Sequence, residues 1–142
     1  MGRPALVVFA CVHNAGRSQM AAAFFERYAD GRLARAVSAG TSPADRVHPE
    51  VIAAMRELDV DLSAARPKRL TADLCADATL LVTMGCGEDC PVVPGLRRED
   101  WLLDDPKGQP PERVREIRDE VRARVLALIQ REGWARRDDE PR

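Results

Sequence analysis

Cys11 is separated from the pair Arg17-Ser18 by Val12-His13-Asn14-Ala15-Gly16. A cysteine delivered into a short loop that closes onto a helix N-terminus meets inward-facing backbone N–H groups and the positive end of the helix dipole. That is a cradle for a tetrahedral oxyanion. The same field favours thiolate over thiol, which makes Cys11 a candidate nucleophile. Arg17 offers a planar fork for two oxygens of the anion, and the Ser18 hydroxyl can donate to the sulfur. Gly16 removes a side chain where backbone must approach a ligand, while Asn14 tolerates left-handed dihedrals and can brace the loop through its amide. The expected anion-binding segment is therefore Val12, His13, Asn14, Ala15, Gly16, Arg17 and Ser18. A free cysteine ending a buried strand is commonly an inert core thiol. The adjoining Gly-Arg-Ser and a second thiol site favour the reactive reading.

That second site is Met84-Gly85-Cys86-Gly87-Glu88-Asp89-Cys90-Pro91. Cys86 and Cys90 lie in a Gly-rich loop and have the reach to pair with each other, which suits a redox switch. Zinc binding would need further ligands from Cys75, His48 or His13, and a lone cysteine pair is a weak zinc signal, so no metal is expected. Two structural thiols are the remaining reading. The third group is Asp104-Asp105-Pro106. Asp105 is a candidate general acid, needed because an oxygen leaving a tetrahedral anion departs poorly until protonated. By itself Asp-Asp-Pro is an ordinary turn signal, and its weight comes from combination with Cys11 and Arg17.

The elements that must position these groups alternate along the chain. Ala5 to Ala10 is a continuous apolar run, as expected of a strand buried on both faces of a parallel sheet. Met20, Ala23, Phe24 and Ala29 recur at helical spacing from Ser18 to Asp30, with Gln19, Glu26 and Arg27 on the other face. Leu33 to Ser38 is a weaker second strand, followed by a loop over Ala39 to Pro43. Pro49 to Leu58 and Thr71 to Ala76 read as helices, the latter capped by Thr71. Ala78 to Met84 is a third strand and Trp101 to Leu103 a fourth. A final helix from Pro111 to Arg131 carries the stripe Val114, Ile117, Val121, Val125, Leu128 and Ile129. This βαβ alternation predicts an α/β domain over residues 1–134, with a charged, frayed tail over 135–142.

The spacing of Cys11, Arg17 and Ser18, with Asp105-Pro106 downstream, resembles the low-molecular-weight protein tyrosine phosphatase superfamily. Within it, the chain most resembles the thioredoxin-coupled arsenate reductases. The resemblance runs from the first strand through the last helix. It implies a three-layer domain with a four-stranded parallel sheet, Cys11 as nucleophile, Arg17 and Ser18 in the anion cradle, and Asp105 as acid. Cys86 and Cys90 match in role the two further cysteines of those reductases, although three intervening residues resembles a variant actinobacterial-type branch. The implied reaction reduces arsenate to arsenite through a thiol relay, for arsenic detoxification. Thioredoxin is the implied electron donor, with a mycothiol or glutaredoxin system as alternatives. A phosphatase acting on phosphate monoesters through a cysteinyl-phosphate is the alternative within the fold. Such phosphatases usually carry a second cysteine before the loop arginine, a proline after the serine and aromatic residues after the acid, whereas this chain has Gly16, Gln19 and Lys107-Gly108-Gln109. A non-catalytic anion or metal sensor is a third possibility, opposed by the complete set of nucleophile, arginine and acid.

Composition narrows the classes further. The chain has 142 residues, 45% hydrophobic and 32% charged, which suits one compact domain. A formal net charge of −1 provides no global field for nucleic acid or an anionic membrane, so anion binding must be local. One tyrosine and two tryptophans leave little for base stacking. There is no apolar run long enough to span a membrane and no signal-peptide pattern, so the expected location is cytoplasmic. The four cysteines then read as thiols rather than a disulfide framework, with Cys75 a packed one. His48, just before a helix, reads as a capping or loop residue, and His13 as either an anion ligand or a solvent-facing side chain. The default assembly is a monomer, and no cofactor is called for.

Overall fold

A computed structural model describes residues 2–85 and 93–136. Its elements are β1 (Ala5–Cys11), α1 (Arg17–Tyr28), β2 (Ala34–Gly40), α2 (Pro49–Arg56), α3 (Ala72–Ala76), β3 (Leu80–Thr83), β4 (Arg97–Asp100) and α4 (Pro111–Glu132). The strands form one parallel sheet in the order β2-β1-β3-β4. β1 is thus flanked by β2 on one side and β3 on the other, and the order reverses beside it. In open α/β sheets such a reversal opens a crevice at the C-terminal ends of the strands, where ligands bind. Cys11 is the last residue of β1.

The continuous apolar character of β1 follows from burial on both faces. Val7, Phe9 and Cys11 join the larger core with α1, α2 and α4 residues, among them Phe24, Phe25, Met55, Val121 and Val125. Val8 and Ala10 join Leu81 in a smaller core covered by Leu70 and Leu74. Phe9 anchors the larger core, its ring centroid 5.9 Å from Phe25 and 5.7 Å from Trp101. The α4 stripe read from the sequence is buried throughout. Arg118 is buried with it, donating to Ala54 O at 2.8 Å and pairing with Glu57 of the chain just past α2.

Several element ends differ from expectation by a residue or two, and β4 and β2 differ in ways that bear on the site. The fourth strand is Arg97–Asp100, not Trp101 to Leu103. β4 is an edge strand whose charged side chains are tied to each other and to α4, through Arg97 with Glu132 and Arg131 with Glu99. Charge on an edge is compatible with pairing and discourages a further strand, so apolar character misplaced the element. Trp101 follows as a core plug, and Leu102 is 87% exposed. β2 runs on to Gly40, through residues read as loop, because Ala39 and Gly40 continue the parallel pairing opposite Ala10 and Cys11; a Cβ on Gly40 would lie 2.6 Å from Val12 O in the loop after β1. Gln19, read on the open face of α1, is buried. At the other end, Asp30 N donates to Trp134 O at 2.8 Å, and Arg136 donates to Arg27 O at 3.1 Å, so residues 134–136 are tied to the end of α1. Residues 137–142 of the expected tail lie outside the described residues.

Candidate active site

The site is assembled at the C-terminal ends of β1, β3 and β4. β1 ends at Cys11, and the loop Val12 to Gly16 returns directly into α1. Gly16 is the N-cap of α1 and offers no side-chain cap, so the first-turn N–H groups are left for something else. Among the described residues, the backbone N–H groups from Val12 to Ser18 donate to no protein group. Cys11, Asn14, Ala15, Arg17 and Ser18 are all buried around them. Buried N–H groups without protein partners at a helix N-terminus are what an oxyanion requires.

Cys11 Sγ lies 2.8 Å from Ser18 Oγ. The loop is braced from behind by Asn14, which sits at a φ of 50°, and its side-chain Oδ1 accepts from Lys68 N at 2.9 Å. Because a backbone N–H can only donate, this contact orients the amide and turns Nδ2 onto Ser18 Oγ, 2.8 Å away. Gln19 Nε2 adds bonds to Asn14 O and Oδ1 at 3.1 and 3.2 Å. Lys68 and Gln19 are therefore part of the cradle's support, a role their sequence positions did not signal.

Arg17 reaches across to the other two strand ends. Its Nη1 donates to Leu103 O at 3.1 Å, and its Nη2 lies 3.8 Å from Asp105 Oδ2. Gly85, at a φ of 89°, lies so close that a Cβ there would come within 2.5 Å of Arg17 Nη1. Glycine is required at that point both by conformation and by space. Cys86 and Cys90 follow Gly85 in the sequence but lie outside the described residues. Asp105 Oδ1 accepts from Lys107 N at 3.0 Å, forming a local turn, while Pro106 packs over the loop so tightly that a Cβ on Gly16 would meet Pro106 Cγ at 2.9 Å. The structure thus brings together Cys11, Arg17, Ser18 and Asp105.

The two histidines flank this cluster. His13 Nδ1 faces Ser42 O at 3.1 Å, so its ring is tied to the neighbouring loop. His48 is the N-cap of α2; its backbone N–H donates to Ala15 O at 2.9 Å, and its ring lies beside Gly16. Burial pushes the His48 imidazole below its ordinary value, against the opposing pull of Glu50 and Asp105. Cys75 is buried on α3, and burial pushes its thiol up. No set of three His, Cys, Asp or Glu side chains that could hold a metal ion occurs among the described residues.

The family model described as low molecular weight phosphotyrosine protein phosphatase matches residues 6–136. The chain belongs to this phosphatase family. Within the family, it is 43% identical over 125 residues to a Halobacterium salinarum protein provisionally named an arsenate reductase, covering 85% of this chain and 88% of that one. It is 36% identical to a glutaredoxin arsenate reductase of a Synechocystis species, covering 87% of this chain and 95% of that protein. Among solved structures, a thioredoxin-dependent arsenate reductase of Corynebacterium glutamicum matches with a TM-score of 0.79 and 39% identity over 94% of this chain. This chain spans 64% of that longer one.

Proposed function

We propose that the protein is an arsenate reductase working by a three-thiol relay. The observation that carries this reading is the contact between Arg17 and Gly85, the residue that directly precedes Cys86 in the sequence. A phosphatase needs a nucleophile, an anion-binding arginine and an acid. It does not need two further thiols entering the chain where the arginine is packed. The arsenate reductase names of the relatives support the same choice.

The Cys11 thiolate attacks arsenic of an arsenate held by the loop N–H groups and the Arg17 guanidinium. Asp105 protonates the departing oxygen, which leaves as water, and a Cys11–arsenic bond remains. Cys86 then attacks the Cys11 sulfur. The electron pair of the sulfur–arsenic bond passes to arsenic, which leaves as arsenite, and a Cys11–Cys86 disulfide forms. Cys90 exchanges into that disulfide, giving Cys86–Cys90 and freeing Cys11. An external dithiol reduces the last disulfide. The C. glutamicum neighbour supports thioredoxin as that donor, and the Synechocystis relative makes glutaredoxin the comparison to run. The reaction is proposed for a cytoplasmic monomer. Among the described residues no helix is long and apolar enough to cross a membrane.

The test is NADPH oxidation with arsenate, thioredoxin and thioredoxin reductase, for the wild type and for Cys11→Ser, Cys86→Ser and Cys90→Ser. Sustained oxidation that is lost in all three variants establishes the relay and its donor together. Multiple turnover by Cys86→Ser overturns the relay. Hydrolysis of phosphotyrosine by a wild type inactive on arsenate moves the assignment to phosphatase.

A further inference from the structure

The segment bearing Asp105 is held at both of its ends. Toward β4, Leu103 O accepts from Arg17 and Asp104 pairs with Arg113. Beyond the acid, Gly108 N–H donates to Glu50 Oε2 at 2.7 Å. Between these anchors lies one hydrogen-bonded unit, closed by Lys107 N to Asp105 Oδ1 at 3.0 Å and Gln109 N to Pro106 O at 3.1 Å. Gly108 has a φ of 72°, a left-handed conformation that glycine adopts without strain. A turn this tight moves as a unit, so a hold at Gly108 is a hold on Asp105. Glu50 is in the first turn of α2, a rigid element packed on α4. Burial raises its carboxyl, but the Gly108 N–H, its own backbone N–H and His48 bring it below the ordinary value, so the acceptor is ionised at neutral pH.

We propose that Glu50 is a positioning residue for the acid: through the Gly108 N–H, its carboxylate holds the Asp105–Gln109 turn against the N-terminus of α1, where Asp105 stands beside Arg17. The inference rests on Asp105 as the proton donor. Glu50 touches no reacting atom and acts only through Asp105. Without it the turn keeps its hold toward β4 and the packing of Pro106 on Gly16 but loses its hydrogen-bonded anchor beyond the acid, and small displacements of a catalytic group are costly to rate.

The experiment compares Glu50→Ala, Glu50→Gln, Asp105→Asn and the double variant Glu50→Ala/Asp105→Asn in arsenate turnover. Glu50→Ala lowers kcat by about tenfold to a hundredfold while KM for arsenate stays within about threefold. Glu50→Gln retains a carbonyl acceptor for Gly108 and recovers most of that loss. In the Asp105→Asn background, Glu50→Ala costs no more than about twofold, because the group it positions is already gone. Unchanged kcat in Glu50→Ala overturns the proposal, as does an equal loss with and without Asp105. Should the wild type reduce no arsenate, the arsenate reading has failed while Glu50 is still tested, by the same variants on aryl phosphates of graded leaving-group basicity. The Gly108 amide gives a readout free of activity: it exchanges with solvent faster in Glu50→Ala than in the wild type, and equal exchange rates overturn the anchor.

Discussion

Ser18 Oγ lies 2.8 Å from Cys11 Sγ, and Asn14 Nδ2 donates to the same oxygen from 2.8 Å. Lys68 N–H fixes the Asn14 amide, so that Asn14 Nδ2 occupies the acceptor side of the Ser18 oxygen and the hydroxyl hydrogen is directed to the sulfur. A hydrogen bond to an ionised group is stronger than one between neutral groups, so the Ser18 hydroxyl is a contact that the attacking sulfur can use. Ser18→Ala removes it without enlarging the side chain. We expect the rate of Cys11 alkylation by iodoacetamide at pH 6 to drop by about tenfold, the lower range for a hydrogen bond to a charged group. Asn14→Ala, which frees the serine to turn away, lowers the rate in the same direction.

Gly85→Ala tests the packing of Arg17, the proposed anion ligand. The new methyl would lie 2.5 Å from Arg17 Nη1, at a φ of 89° that alanine adopts poorly. Both effects displace Arg17 or the chain beside it. Inhibition by phosphate, a stand-in for the bound oxyanion, weakens by about tenfold, the loss of one charge-assisted contact. Stability falls by roughly 1 kcal/mol or more, read by urea denaturation.

Arg118 is a structural cation with no part in the chemistry. It sits buried between α2 and α4, donating to Ala54 O at 2.8 Å. Arg118→Met keeps the apolar stem and leaves that carbonyl without its charged donor, costing roughly 1–3 kcal/mol of stability. Catalytic constants measured below the melting temperature remain those of the wild type.

Acid weakens the fold through a small set of paired carboxylates. Hydrogen bonds from Arg115 and then Arg118 hold Glu57 down to about 2, and the Arg32 side chain and backbone N–H hold Asp30 down to about 2. The unfolded chain takes up these protons near the ordinary values of 4.5 and 3.8. Between those values and about 2, the folded state binds fewer protons than the unfolded state, so stability falls as pH falls through this window. Tm measured against pH drops accordingly, and Glu57→Gln flattens the upper part of the fall.

His48 is expected to be neutral at pH 7. Its imidazole, pushed below 6.5 by burial, is drawn back upward by Glu50 and Asp105. Its NMR titration midpoint falls below the ordinary value, and Glu50→Gln lowers it further by removing one of the two opposing charges.

The sequence by itself determined the grouping of Cys11, Arg17 and Ser18, the element alternation and the family. Cys11, Arg17 and Ser18 lie within one strand–loop–helix unit, so their relation is set by local geometry that spacing reports. The buried strand and the α4 stripe are equally legible, because burial on both faces and on one helix face leaves distinct periodicities. Tertiary structure alone decided what surrounds that unit. Lys68 meets Asn14, Gly85 meets Arg17, and Glu50 meets Gly108 across long stretches of chain, through backbone groups or at a glycine whose residue type does not name its distant neighbour. β4 was hidden for a related reason: its pairing is made by the backbone at a sheet edge, where charged side chains are admissible and an apolar pattern is not needed.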